Sequence, residues 1–156
     1  KTKKLINMSH SCNYQHIVFH TARSQATIPE GSKRILFTYI LSMCRSHNVA
    51  LIRINSYLNH VHMLVKLPPT IAVADFVKMV KQNTSVAFKG HTEFPNFCGW
   101  NEGYGAFSVS MQNVDMVVNY IKRQEEHHGN VSFKDKYISL LHENHIAVDE
   151  YTIKKL

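Results

Sequence analysis

Val49-Ala50-Leu51-Ile52-Arg53-Ile54-Asn55-Ser56-Tyr57-Leu58, then Asn59, then His60-Val61-His62-Met63-Leu64-Val65-Lys66-Leu67 and Pro68-Pro69 is the stretch whose reading decides the fold. Both runs have strand character, and the break at Asn59 leaves room only for a tight turn. The proline pair stops the second run, because proline has no N–H to give to a β-ladder. The two runs are therefore expected to pair as a hairpin. In the second run the two-residue period of a strand sets Val61, Met63, Val65 and Leu67 on one face and His60, His62, Leu64 and Lys66 on the other.

Outward from the hairpin, residues 14–21 read as a strand around Ile17, Val18 and Phe19, after which Pro29 and Gly31 punctuate the chain. Ile35, Leu36, Tyr39, Ile40 and Met43 recur at helical spacing and predict a helix of about four turns ending near Asn48. On the other side, Val73, Phe76, Val77 and Val80 predict a second helix, residues 90–99 a loop and residues 104–111 a fourth strand. Val114, Val117, Val118 and Ile121 mark a third helix. Ser132 followed by Asp135 is a capping-box start for a fourth, which carries Phe133, Tyr137, Leu140 and Leu141. The order β-α-β-β-α-β plus two helices is that of an α+β, ferredoxin-like (split βαβ, RRM-like) antiparallel sheet. Helices are expected on one face, the other face being left open, with the C-terminal helices following the sheet.

Composition narrows the function classes. Eighteen Lys and Arg against eleven Asp and Glu give a net charge of +7, which suits a polyanion such as nucleic acid and equally suits a basic soluble protein with no anionic partner. Cys12, Cys44 and Cys98 are odd in number and widely spaced, which argues against a disulfide framework or a zinc ribbon and fits a reducing cytoplasm. No stretch approaches the eighteen apolar residues or more of a membrane span, and residues 1–7 lack the apolar core of a signal peptide. Residues 1–7 are read as an added or disordered start and residues 8–156 as one domain.

Two histidines two apart on a strand project together and can chelate one divalent ion. Eleven histidines in 156 residues would give roughly one such pair by chance, so the pair alone is weak. Tyr120 and Gln124, four apart, share a helix face at the edge of the apolar stripe. A half-buried tyrosine with a wet hydroxyl would look the same.

Asn59-His60-Val61-His62-Met63-Leu64-Val65 with Pro68-Pro69 resembles the HUH motif of the single-tyrosine transposases of small bacterial insertion sequences, the TnpA-type and REP-associated tyrosine transposases. The resemblance extends to Tyr14-Gln15-His16-Ile17-Val18-Phe19-His20-Thr21, to Trp100 through Gly103-Tyr104-Gly105-Ala106-Phe107-Ser108-Val109-Ser110, and to Asn119-Tyr120-Ile121-Lys122-Arg123-Gln124 with Glu125-Glu126-His127-His128. It implies that His60, His62 and Gln124 ligate a divalent metal, Mg²⁺ or Mn²⁺, and that Tyr120 is the nucleophile, on the helices that follow the sheet. The implied reaction cleaves and rejoins single-stranded DNA at hairpin-marked element ends through a 5′-phosphotyrosine intermediate, in a homodimer whose sites are shared between subunits. The setting is the bacterial cytoplasm, at the nucleoid.

Lys122 and Arg123 are placed to help electrostatically. His127 and His128 are candidates for the metal shell or for DNA contact, and equally for a surface pair with neither role. Many relatives carry Asp where this chain has Asn59, whose amide oxygen could still accept from a metal-bound histidine while lowering the site's negative charge. Lys33, Arg34, Arg45, Arg53, Lys78, Lys81 and Lys89 are candidates for phosphate contact. Three other functions stay open: a domesticated relative that nicks hairpins with the same chemistry, a non-catalytic nucleic-acid-binding module of the same fold, and a zinc hydrolase that activates water and needs no Tyr120 hydroxyl.

Overall fold

The structure is a computed structural model that describes residues 9–124 and 131–156. The segment 1–7 lies outside these, as do Glu125, Glu126, His127 and His128. Four strands, β1 (Asn13–His20), β2 (Ala50–Tyr57), β3 (His60–Leu67) and β4 (Gly105–Val109), form one sheet in the order β2-β3-β1-β4, with every neighbouring pair antiparallel. Helices α1 (Lys33–Ser46) and α2 (Val73–Phe88) connect the strands in the ferredoxin-like order. Among the described residues three α-helices follow β4: α3 (Val114–Lys122), α4 (Phe133–Glu143) and α5 (Glu150–Lys155). The hairpin expected from residues 49–67 is present, closed by a turn at Leu58 and Asn59. Among the described residues no helix is long and apolar enough to cross a membrane.

The strand period sorts the sheet into two faces. Ile17 and Phe19 of β1 join Val61, Met63, Val65 and Leu67 of β3 in a core closed by Leu36, Ile40 and Met43 of α1 and Phe76, Val77 and Val80 of α2. Helix α1 ends where Asn48 takes a left-handed conformation, φ 56°, which asparagine tolerates better than most residues and which lets Val49 donate back to the Cys44 carbonyl at 2.9 Å.

The opposite face was expected to be open, and it is covered. Val18 and Phe107 pack there against Phe133, Leu140 and Leu141 of α4, with Tyr120 of α3 and Tyr137 of α4 alongside. The physical reason lies in β1, where Ile17, Val18 and Phe19 are consecutive and fully buried. A strand that is apolar at successive positions has to be sheltered on both faces. The expected capping box of α4 is in place, the Ser132 hydroxyl accepting from the Asp135 amide at 3.2 Å. The third C-terminal helix, α5, was not expected; its six residues, Glu150-Tyr151-Thr152-Ile153-Lys154-Lys155, carry no apolar period.

Candidate active site

On the α3–α4 side of the sheet β3 presents His60 and His62, both fully buried, their ring centroids 5.1 Å apart. His60 packs on the Phe133 ring at 4.4 Å between centroids. Its Nδ1 lies 2.7 Å from the side-chain oxygen of Asn59, whose amide nitrogen donates to the Ser24 carbonyl at 3.2 Å. That second bond fixes which end of the amide faces the ring, so His60 carries its proton on Nδ1. His62 Nδ1 is 3.0 Å from Nε2 of a third histidine, His16, on the neighbouring strand β1. With Nδ1 engaged in both motif rings, Nε2 is the nitrogen each would offer a metal. Burial drives His16 down to about 4, so its ring is neutral at physiological pH and one of the two facing nitrogens donates to the other.

Helix α3 brings Tyr120 onto this group. The Tyr120 ring stands nearly perpendicular to that of His62, at 80° and 5.7 Å between centroids, and it lies 5.7 Å from His16 as well. Asn55 of β2, register-paired with His62, ties the helix down by donating to the carbonyls of Ile121 and Lys122 at 3.0 and 3.3 Å. Those carbonyls belong to the last turn of α3, where a helix runs out of its own donors. A cavity of about 430 Å³, bounded by His16, Tyr120, Val117 and Glu143 among others, opens beside the phenol. Burial raises the Tyr120 pKa, the Glu143 carboxylate adds to the rise, and a hydrogen bond with Gln124 offsets part of it.

Gln124 is fully buried one turn beyond Tyr120, and its amide nitrogen donates to the Tyr120 carbonyl at 2.9 Å. Its amide oxygen accepts from the ammonium of Lys136 at 2.9 Å. Lys136 is a buried lysine on α4 whose pKa is pushed down to about 8 by desolvation. Among the described residues no three His, Cys, Asp or Glu side chains gather as a metal set. The Gln124 amide oxygen keeps a second lone pair beside the one Lys136 uses. Lys122 and Arg123 point outward and are exposed. His127 and His128 lie outside the described residues.

The site thus gathers the expected His60, His62, Asn59, Tyr120 and Gln124, together with His16, Lys136 and Asn55, which the sequence reading did not single out. Lys136 left a signal. Phe133, Lys136, Tyr137, Leu140 and Leu141 fall at i, i+3, i+4, i+7 and i+8, so the lysine stands in the buried stripe of its helix. His16 and His20 share one strand face with Val18, but that His16 meets His62 follows only from the register.

Residues 8–124 match the family of IS200-like transposases, a span that holds β1 to β4, both motif histidines, Tyr120 and Gln124. The chain belongs to that family. The IS200-like transposase is 27% identical over 129 residues to the transposase of insertion sequence element IS200 from Salmonella typhimurium, an alignment that covers 80% of this chain and 84% of the relative. The Salmonella typhi protein of the same name matches to the same degree. In fold it is similar to a Deinococcus radiodurans protein designated a transposase, with TM-score 0.56, 18% identity and coverage of 76% of this chain and 95% of that one. It is also similar to a REP-associated tyrosine transposase bound to a REP hairpin, with TM-score 0.60, 13% identity and coverage of 80% and 75%. Helix α4, and Lys136 with it, follows the matched span of the IS200-like transposase.

Proposed function

We propose that this IS200-like transposase cleaves and rejoins single-stranded DNA at hairpin-marked ends by forming a 5′-phosphotyrosine bond through Tyr120, with a divalent metal, Mg²⁺ or Mn²⁺, held by His60, His62 and Gln124. The observation that carries the reading is the Tyr120 ring lying 5.7 Å from that of His62, beside a second buried imidazole, in a chain of a transposase family. When bound, the metal supplies Lewis-acid polarisation of the scissile phosphate. Asn59 and His16 orient the two imidazoles, and Asn55 holds the turn that carries the nucleophile.

The Tyr120 oxygen attacks phosphorus, the bond from phosphorus to the 3′ oxygen breaks, and the leaving strand keeps a 3′-hydroxyl. The phenol is protonated at neutral pH, so it gives up its proton as the new bond forms, and the departing 3′ oxygen takes one up. One phosphodiester is exchanged for another, and rejoining reverses the step without ATP. Lys122 and Arg123, exposed at the end of α3, add positive charge near the strand. Excision and insertion join ends in pairs, which calls for two such sites and a homodimer. The resemblance implies sites shared between the subunits of that homodimer, while within one chain Tyr120 already stands beside its own His62. The setting in this reading is the bacterial cytoplasm, in association with the nucleoid.

The test mixes the protein with Mg²⁺ or Mn²⁺ and a labelled pool of single-stranded hairpin DNAs and resolves the products on a denaturing gel. A covalent adduct is expected that disappears in Tyr120→Phe and in chelator. Cleavage without an adduct, surviving Tyr120→Phe, would assign the site to a hydrolase that uses water.

A further inference from the structure

A groove of about 820 Å³ runs from the first turn of α1 across the outer strand β2 to the end of α3, lined by Lys33, Arg34, Phe37, Arg53, Asn55 and Lys122 among others. Lys33 is paired with Glu30, which also lines the groove. Arg34 and Lys122 are exposed, and Arg53 is half-buried at the irregularity in the β2–β3 register between Leu51 and Arg53. Among the described residues none of these three cations makes an ion pair, and the buried Nε of Arg53 has no hydrogen-bond partner. A guanidinium drawn partly out of water with no acceptor for that N–H is unfavourable unless an anion meets it there.

The groove reaches the edge of the active site at Asn55. Asn55, at its inner end, is register-paired with His62 and holds the carbonyls of Ile121 and Lys122, the turn that follows Tyr120. Phe37 adds a half-buried ring to the cationic lining. Cations that follow a backbone and a ring on which a base can stack are the two parts of a single-strand track. The structure also sorts the cations singled out from the sequence. Lys81 is committed to the carbonyls of Asn101 and Gly103, at 2.7 Å each, while Arg45, Lys78 and Lys89 line no part of this groove.

We infer that this groove carries the single-stranded DNA that flanks the scissile phosphate, with Arg34, Arg53 and Lys122 neutralising its phosphates and Phe37 stacking on a base. The inference rests on the proposed function, and its test reads binding as well as chemistry. Anisotropy of a labelled mixed-sequence single strand is followed across a salt series for the wild-type chain and for the pair Arg34→Gln with Arg53→Gln. Each lost phosphate contact lowers the slope of log affinity against log salt by about 0.7. The pair should therefore lose about 1.4 in slope and bind roughly tenfold weaker at low salt. Lys122→Gln, a surface change that leaves Arg53 in place, should lose about 0.7.

Arg45→Gln with Lys78→Gln removes the same net charge from exposed positions outside the groove and should leave the slope unchanged. An unchanged slope in the groove variants, with the Tyr120 adduct still formed by wild type, would overturn the track and leave the proposed chemistry standing. An equal loss in the Arg45 and Lys78 control would overturn it in favour of a diffuse charge effect. Displacement of the strand by polyglutamate as readily as by unlabelled DNA would assign the groove to acidic peptides. Neither binding nor adduct from wild type would remove the proposed function and the track together.

Discussion

His16 is a buried imidazole whose native pKa of about 4 lies well below the ordinary 6.5. Between those values the unfolded chain binds a proton that the native chain does not, so its contribution is complete above 6.5 and is lost as pH falls toward 4. At about 1.4 kcal/mol per pKa unit the loss reaches at most about 3.5 kcal/mol. His16→Gln keeps a hydrogen-bonding group opposite His62 but does not titrate, so its urea midpoint should fall less steeply than wild type from about pH 7 to about pH 4. Parallel curves would show that another group carries the acid limb. At this scale the site was partly readable in advance. The strand period sets His60 and His62 on one face and the helical period sets Tyr120 and Gln124 on another, but only the resemblance to the single-tyrosine transposases singled the four out. His16 is a lone histidine whose partner stands 46 residues away in sequence, so only the pairing of β1 with β3 makes sense of it. Lys136 interrupts an apolar stripe, a signal strong enough to use, because a lysine is buried only where something receives its charge.

Two elements, β2 and α4, decide where the nucleophile and its surroundings sit, and each gives an expected outcome. Asn55 is the side chain of β2 that fastens the end of α3. Asn55→Ala should cost about 1–3 kcal/mol by leaving buried carbonyls unsatisfied, read as a lower urea midpoint. It should slow adduct formation at Tyr120 even under conditions where the variant stays fully folded. An adduct rate equal to wild type would mean that α3 holds its place without Asn55. At Gly105 of β4 an added Cβ would meet Tyr137 of α4 at 2.9 Å and Phe107 at 3.0 Å. Gly105→Ala should therefore push α4 from the sheet at a cost of about 1–3 kcal/mol, and amide exchange should quicken in α4 while the protection of α1 and α2 is kept. The strands and the first two helices were readable because each carries its own period and its own stop signals. The covering of the second face was not, since α3 and α4 have one apolar stripe each and a stripe does not say which surface it meets. The run Ile17-Val18-Phe19 was the available hint.

At the scale of the whole molecule, the sheet sets its histidines under two helices of the same chain, so a single copy contains every group the proposed chemistry uses. Mixing His62→Ala with Tyr120→Phe tests this, provided the two are unfolded and refolded together so that any subunits exchange. Sites made within one chain predict no adduct from the mixture, whereas sites shared between subunits would restore a fraction of the wild-type amount. The central claim, that Tyr120 itself becomes bonded to DNA, is tested most directly by isolating the protein–DNA adduct, digesting both components and locating the nucleotide remnant by peptide mass spectrometry. The account predicts a 5′-phosphate remnant on the Tyr120 phenol and a 3′-hydroxyl on the released strand. A remnant on any other residue, or a 3′-phosphate on the released strand, would contradict it.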